Sequence, residues 1–104
     1  MNDTMYGLNN EIIQGLCGVF QSQPNIRKVI LFGSRAKGNY TTGSDIDLAV
    51  QADGLSFRQL MDINARIEDL GLLYKVDVIL YDKVAGTPIG EHIDRVGRVL
   101  FQRE

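Results

Sequence analysis

The chain has 104 residues, 44% of them hydrophobic and 23% charged, with a net charge of −2 and a pI near 5.3. These values predict one compact domain over residues 1–104 with a modest core, and they exclude the basic balance of a dedicated binder of DNA or RNA. The single cysteine, Cys17, allows no internal disulfide; the Met-Asn-Asp-Thr start lacks the basic and apolar segments of a signal peptide, and no apolar run nears the roughly 20 residues of a membrane span, so a cytoplasmic protein without membrane contact is expected.

In chain order, Leu8, Ile12, Ile13, Leu16, Val19 and Phe20 fall at the spacing of one helical face, which predicts a first helix over Met5 to Gln21, ended by Pro24-Asn25. Gly7, Gly15 and Gly18 lie within it and weaken it, so it depends on packing. Lys28 to Phe32 is a short β-branched and aromatic run between turn residues and reads as a buried strand. Arg35 to Lys37 can form one helical turn, and Gly38 to Gly43 has the composition of a loop. A second strand is expected over Asp45 to Gln51, then a turn at Asp53-Gly54. Ser56-Phe57-Arg58-Gln59 carries the capping-box pattern and starts a second helix that runs to Gly71. Lys75 to Tyr81 reads as a third strand, Asp82 to Thr87 as a loop, and Pro88 as the start of a helix that stops at Gly97. Residues 98–102 fit either more helix or an edge strand, and the strand is preferred. The sum is an α/β (α+β) order, α-β-β-α-β-α with a further β, and no internal repeat.

Three aspartates interrupt these apolar strands. Side chains two apart on a strand share a face, so Asp45 and Asp47 stand together while Ile46 and Leu48 point away. Asp77, set between Val76 and Val78, joins them if the third strand lies beside the second. Carboxylates this close repel one another, and a hard divalent cation such as Mg²⁺ relieves the repulsion. Gly33-Ser34, after the first strand, offers close backbone approach, amide hydrogens and a hydroxyl, the elements of a phosphate cradle. Arg35 adds charge beside it, with a bridge to Asp45 or Asp47 as the alternative use, and Ser44 stands next to Asp45 on the nucleotide side. Three carboxylates around two Mg²⁺ ions roughly 4 Å apart would form a clamp for in-line attack at phosphorus.

Gly33-Ser34, Asp45-Ile46-Asp47 and Val76-Asp77-Val78 together resemble the signature of the nucleotidyltransferase superfamily that includes DNA polymerase beta. The short chain, with Gly-Ser-Arg-Ala-Lys-Gly at 33–38 and Ser-Asp-Ile-Asp-Leu at 44–48, resembles the minimal nucleotidyltransferases, or MNT proteins, of prokaryotes. The resemblance covers residues 28 to 81. It implies a nucleotidyltransferase fold with a mixed central sheet of three to four strands packed by helices. It also implies ATP as substrate, Gly33 and Ser34 on the triphosphate, Asp45 and Asp47 on both metals, and Asp77 on the metal that activates the acceptor. Larger superfamily members carry a helical domain that holds the acceptor; here another protein or a second copy of the chain must supply that side. The resemblance further implies a helical HEPN-type toxin as partner, with AMP transferred to one of its tyrosines and the chain acting as antitoxin.

The alternative function is a non-catalytic module that neutralises its partner by occlusion. A phosphatase of the Asp-x-Asp-x-Thr type is disfavoured because Ala49 stands where the threonine would be. His92 has no second ligand at metal spacing and reads as a surface or boundary histidine, Cys17 as inert packing, and Tyr40 as either an adenine-stacking ring or a turn filler.

Overall fold

The computed structural model describes residues 4–103. A two-stranded hairpin, β1 (Thr4–Met5) and β2 (Leu8–Asn9), precedes helix α1 (Asn10–Gln21), strand β3 (Ile26–Phe32) and the short helix α2 (Gly33–Lys37). Strand β4 (Ile46–Ala52), helix α3 (Phe57–Asp69), strand β5 (Val76–Leu80), a helical turn α4 (Tyr81–Val84), helix α5 (Pro88–Val96) and strand β6 (Arg98–Gln102) complete the order. The main sheet runs β5-β4-β3-β6 and is mixed, since β4 pairs with β5 in parallel while β3 pairs antiparallel with both β4 and β6.

Register decides what each face carries. Val29 opposes Val50 and Leu31 opposes Leu48, while Ile46, Leu48 and Val50 sit level with Val76, Val78 and Leu80. Alternation therefore puts these eight apolar side chains on one face, where Leu16, Val19 and Phe20 of α1 and Ile63 and Ile67 of α3 close the core over them. The opposite face carries Ile30, Phe32, Asp47, Ala49, Asp77 and Ile79, and α5 covers it only in part through the buried Ile93. Gly97 lets α5 meet the sheet closely, because a Cβ there would strike Ile30 and the Ile93 carbonyl. One face is thus sealed and the other holds polar groups beside an incomplete cover.

Local chemistry accounts for most boundaries. Ser56 and Gln59 form the expected capping box, and Thr87 caps α5 with Pro88 in its first turn. Residues 98–102 are a strand on β3, as preferred from the sequence. Two expectations need correction. The first helix begins at Asn10, not Met5: Tyr6 (φ 59°) and Gly7 (φ 75°) adopt left-handed conformations that close the hairpin, and the Asn9 side chain caps the helix by accepting from the Ile12 amide at 2.9 Å. Leu8, fully buried, joins the core from β2 and so mimicked a helical position. The expected loop at 82–87 begins with α4, which the Ala85 amide closes onto the Tyr81 carbonyl at 2.9 Å. Among the described residues no helix is long and apolar enough to cross a membrane. Of the Met-Asn-Asp-Thr start read for targeting signals, residues 1–3 lie outside the described ones.

Candidate active site

The parallel pairing of β4 with β5 sets Asp47 level with Asp77 on the partly covered face. Neighbouring strands lie ~4.8 Å apart, so these two carboxylates start from adjacent backbone positions. Asp45 precedes the first residue of β4 and is exposed, two positions before Asp47 at the mouth of the same strand. The Ile46 amide donates to the Lys75 carbonyl at 2.9 Å, which keeps the entries of the two strands abreast. Phe32, the last residue of β3, is the antiparallel partner of Asp47, so the chain turns into Gly33-Ser34 right beside that carboxylate.

Gly33 has φ +75°, and a Cβ there would collide with Asp47 Oδ2 and lie 3.3 Å from its Cγ. The absence of a side chain is thus what lets the Asp47 carboxylate lie against the turn. Ser34 follows in the first turn of α2, half-buried, and α2 ends at Gly38 in the left-handed conformation.

Asp47 carries the electrostatic signature of the site. Partial burial pushes its carboxyl above the usual aspartate range, and the neighbouring charges of Asp77 and Asp45 push it further the same way. His92 and Lys75 act in the opposite direction. Sequence reasoning missed both as members of this neighbourhood. The signal for Lys75 was present, since it stands two residues before Asp77 and so shares its side of the strand; its Nζ lies 3.9 Å from Asp77 Oδ1. His92 reaches the site only through the packing of α5, its ring edge-on to Phe32 at 6.3 Å between centroids.

Arg35 departs from the role expected of it. It does not face the open site: it is 1% exposed, and its guanidinium donates to the main-chain carbonyls of Tyr6, Thr42 and Ser44. The alternative bridge to Asp45 or Asp47 is not formed either. Tyr40 lies against that guanidinium, 5.3 Å from ring centroid to carbon, and so packs within the turn. Ser44 Oγ accepts from the Thr41 amide at 2.8 Å, a bond internal to the loop that leads to Asp45.

Among the described residues no three carboxylate, imidazole or thiol groups are gathered into a finished metal cage. The donor set still suits a hard divalent cation, because two carboxylates abreast with a third at the strand mouth repel one another, and such an ion would relieve both that repulsion and the cost of charging the partly buried Asp47. The residues that would hold it are Asp47 and Asp77, with Asp45 from the entry side.

Comparison with known proteins gives this geometry relatives. The family described as Polymerase beta, Nucleotidyltransferase matches residues 14–104. A chain from Methanocaldococcus jannaschii assigned as a protein adenylyltransferase is 33% identical over 85 residues, covering 73% of this chain and 79% of the relative. A chain from a crystal structure of the toxin–antitoxin complex with AMP-PNP superposes with a TM-score of 0.70 at 23% identity, over 88% of this chain and 74% of that one, a likeness of fold. A chain from a variant of the toxin–antitoxin complex MntA-HpeT superposes with a TM-score of 0.66 at 28% identity, over 93% of this chain and 75% of that one.

Proposed function

The chain belongs to the Polymerase beta nucleotidyltransferase family, of the minimal MNT type, and from that premise we propose that it moves AMP from ATP to a hydroxyl of a partner protein, a tyrosine of a helical HEPN-type toxin, and so acts as antitoxin. Its being a nucleotidyltransferase follows from the family; acceptor, base, metal and partner are the substance of the proposal. The observation that carries it is the register of β4 and β5, which brings Asp47 and Asp77 abreast beside the Gly33-Ser34 turn.

In this reading Gly33 and Ser34 hold the triphosphate, with Ser44 beside them at the entry to Asp45. Asp45 and Asp47 serve the nucleotide side, and Asp77 serves the acceptor side. Mg²⁺ ions, two in this family's chemistry, would supply charge neutralisation and a more acidic acceptor hydroxyl when bound. The hydroxyl oxygen forms a bond to the α-phosphorus as the bond from that phosphorus to the oxygen bridging the α- and β-phosphates breaks, and that oxygen departs with pyrophosphate. The hydroxyl proton leaves toward Asp77 and solvent. The protein's own work is positioning and electrostatics, with little covalent chemistry. The half-covered sheet face leaves the acceptor side open to a partner, which suits a substrate that is itself a protein.

The test is transfer of label from α-labelled ATP to a co-expressed HEPN protein. Asp47→Asn should abolish labelling while the fold survives, and equal labelling by the variant would refute the reading. Should Asp47→Asn still protect cells from the toxin, the occlusion module becomes the better account.

A further inference from the structure

Arg35 is the largest fully buried side chain among the described residues, and among them no carboxylate lies within ion-pair distance of it. Its charge is met instead by main-chain oxygens and aromatic faces. Nε donates to the Ser44 carbonyl at 3.2 Å, and NH2 donates to the same oxygen at 2.9 Å and to Thr42 at 3.3 Å. NH1 donates to the Tyr6 carbonyl at 2.9 Å. The rings of Tyr40 and Tyr74 lie 5.3 Å and 4.9 Å from the guanidinium carbon. Gly7 completes the stack, since a Cβ there would run into the Tyr40 ring and the guanidinium itself.

An arginine buried with no described carboxylate as counter-charge is an expensive way to fill a core, so the bonds it makes point to its use. Residues 38–45 have neither helix nor strand to satisfy their carbonyls, and Arg35 supplies donors to two of them. The forked contact with Ser44 matters most. That carbonyl belongs to the peptide joining Ser44 to Asp45, and two donors on one oxygen restrict the rotation of the peptide plane from which Asp45 extends.

We propose that Arg35 is a positioning residue: it orients the Ser44–Asp45 peptide and ties it to the N-terminal hairpin, and thereby sets the affinity of the carboxylate site for its divalent cation. This deepens the proposed function and rests on it. Lysine would keep the charge but has one nitrogen, and so cannot hold the Ser44 and Tyr6 carbonyls in a planar fork.

The test is binding of Mn²⁺ alone, followed by electron paramagnetic resonance, with each variant held well below its own melting temperature so that only folded protein is compared. Arg35→Lys should weaken binding about tenfold, the loss usual when a group that orients a metal ligand is removed. In an Asp45→Asn background the same change should add almost nothing, because its route of action is gone. Unaltered Mn²⁺ affinity in Arg35→Lys, with binding lost in Asp47→Asn, overturns the positioning role and leaves the proposed function standing. Unaltered affinity in Asp47→Asn as well overturns the carboxylate site itself. If Arg35→Lys does not fold, Tyr40→Leu decides: weakened binding supports the role, and wild-type binding overturns it.

Discussion

The contact between Gly33 and Asp47 can be separated from backbone strain by a pair of substitutions. Gly33→Ala and Gly38→Ala both force alanine into a left-handed conformation, at φ +75° and +92°, and each should cost about 1 to 2 kcal/mol for that reason alone. For a domain of this size that lowers Tm by roughly 4–8 °C per kcal/mol. What differs is the space around the new methyl group. At Gly38 it meets nothing within 4 Å, whereas at Gly33 it meets Asp47 Oδ2, with Cγ at 3.3 Å. The carboxylate can rotate away from the methyl at little further cost in stability, but in doing so it abandons the direction it shares with Asp77. The two variants should therefore melt within a few degrees of each other while differing in function. Gly33→Ala should lose about a hundredfold or more in transfer of AMP, the scale seen for misplacement by ~1 Å, and Gly38→Ala should lose little. Differential scanning fluorimetry and initial rates with α-labelled ATP measure the two quantities. Equal loss of activity in both variants would show that general strain, and not the seating of Asp47, governs the site.

Asp47 also makes stability depend on pH in a definite direction. Its folded carboxyl binds its proton more tightly than the unfolded one, through burial and the charges of Asp77 and Asp45, so its contribution favours the folded state at low pH and is lost as pH rises through the raised value. In the absence of divalent metal, Asp47→Asn should thus raise Tm at neutral pH and leave it nearly unchanged in acid; chelator-treated melts across pH measure this, and a lower Tm for the variant at neutral pH would contradict it. Ser56→Ala removes the acceptor that holds the Gln59 amide at 3.1 Å and should cost about 1 kcal/mol without affecting transfer, as read by urea unfolding alongside the labelling assay.

The strand-borne chemistry was legible because it rests on alternation, a local property. Asp45 and Asp47 share a side whatever surrounds them, and the apolar flanks of Asp77 mark a strand that must expose it on the face opposite its valines. The cap at Ser56 and the helix start at Pro88 are local too, and the structure places them where the residues point. Arg35 shows where this kind of reasoning stops. It stands next to Gly33-Ser34 in sequence, which suggested a phosphate contact, but its surroundings come from Tyr6, Tyr74 and the 40–44 turn, and these distant segments turn it inward. The N-terminal hairpin was hidden in the same way: Leu8 stands four residues before Ile12, as a helix requires, and only its burial from β2 and the left-handed turn at Tyr6-Gly7 distinguish the two.

By itself, then, the order of residues determined which groups could act and on which side of each strand they stand. The tertiary structure alone decided that β5 lies parallel to β4 with Asp77 level with Asp47, that His92 borders the pair, and that Arg35 serves the loop from within. The reason is physical: strand alternation acts over two residues, whereas register, burial and charge proximity arise only when segments far apart along the chain are brought together.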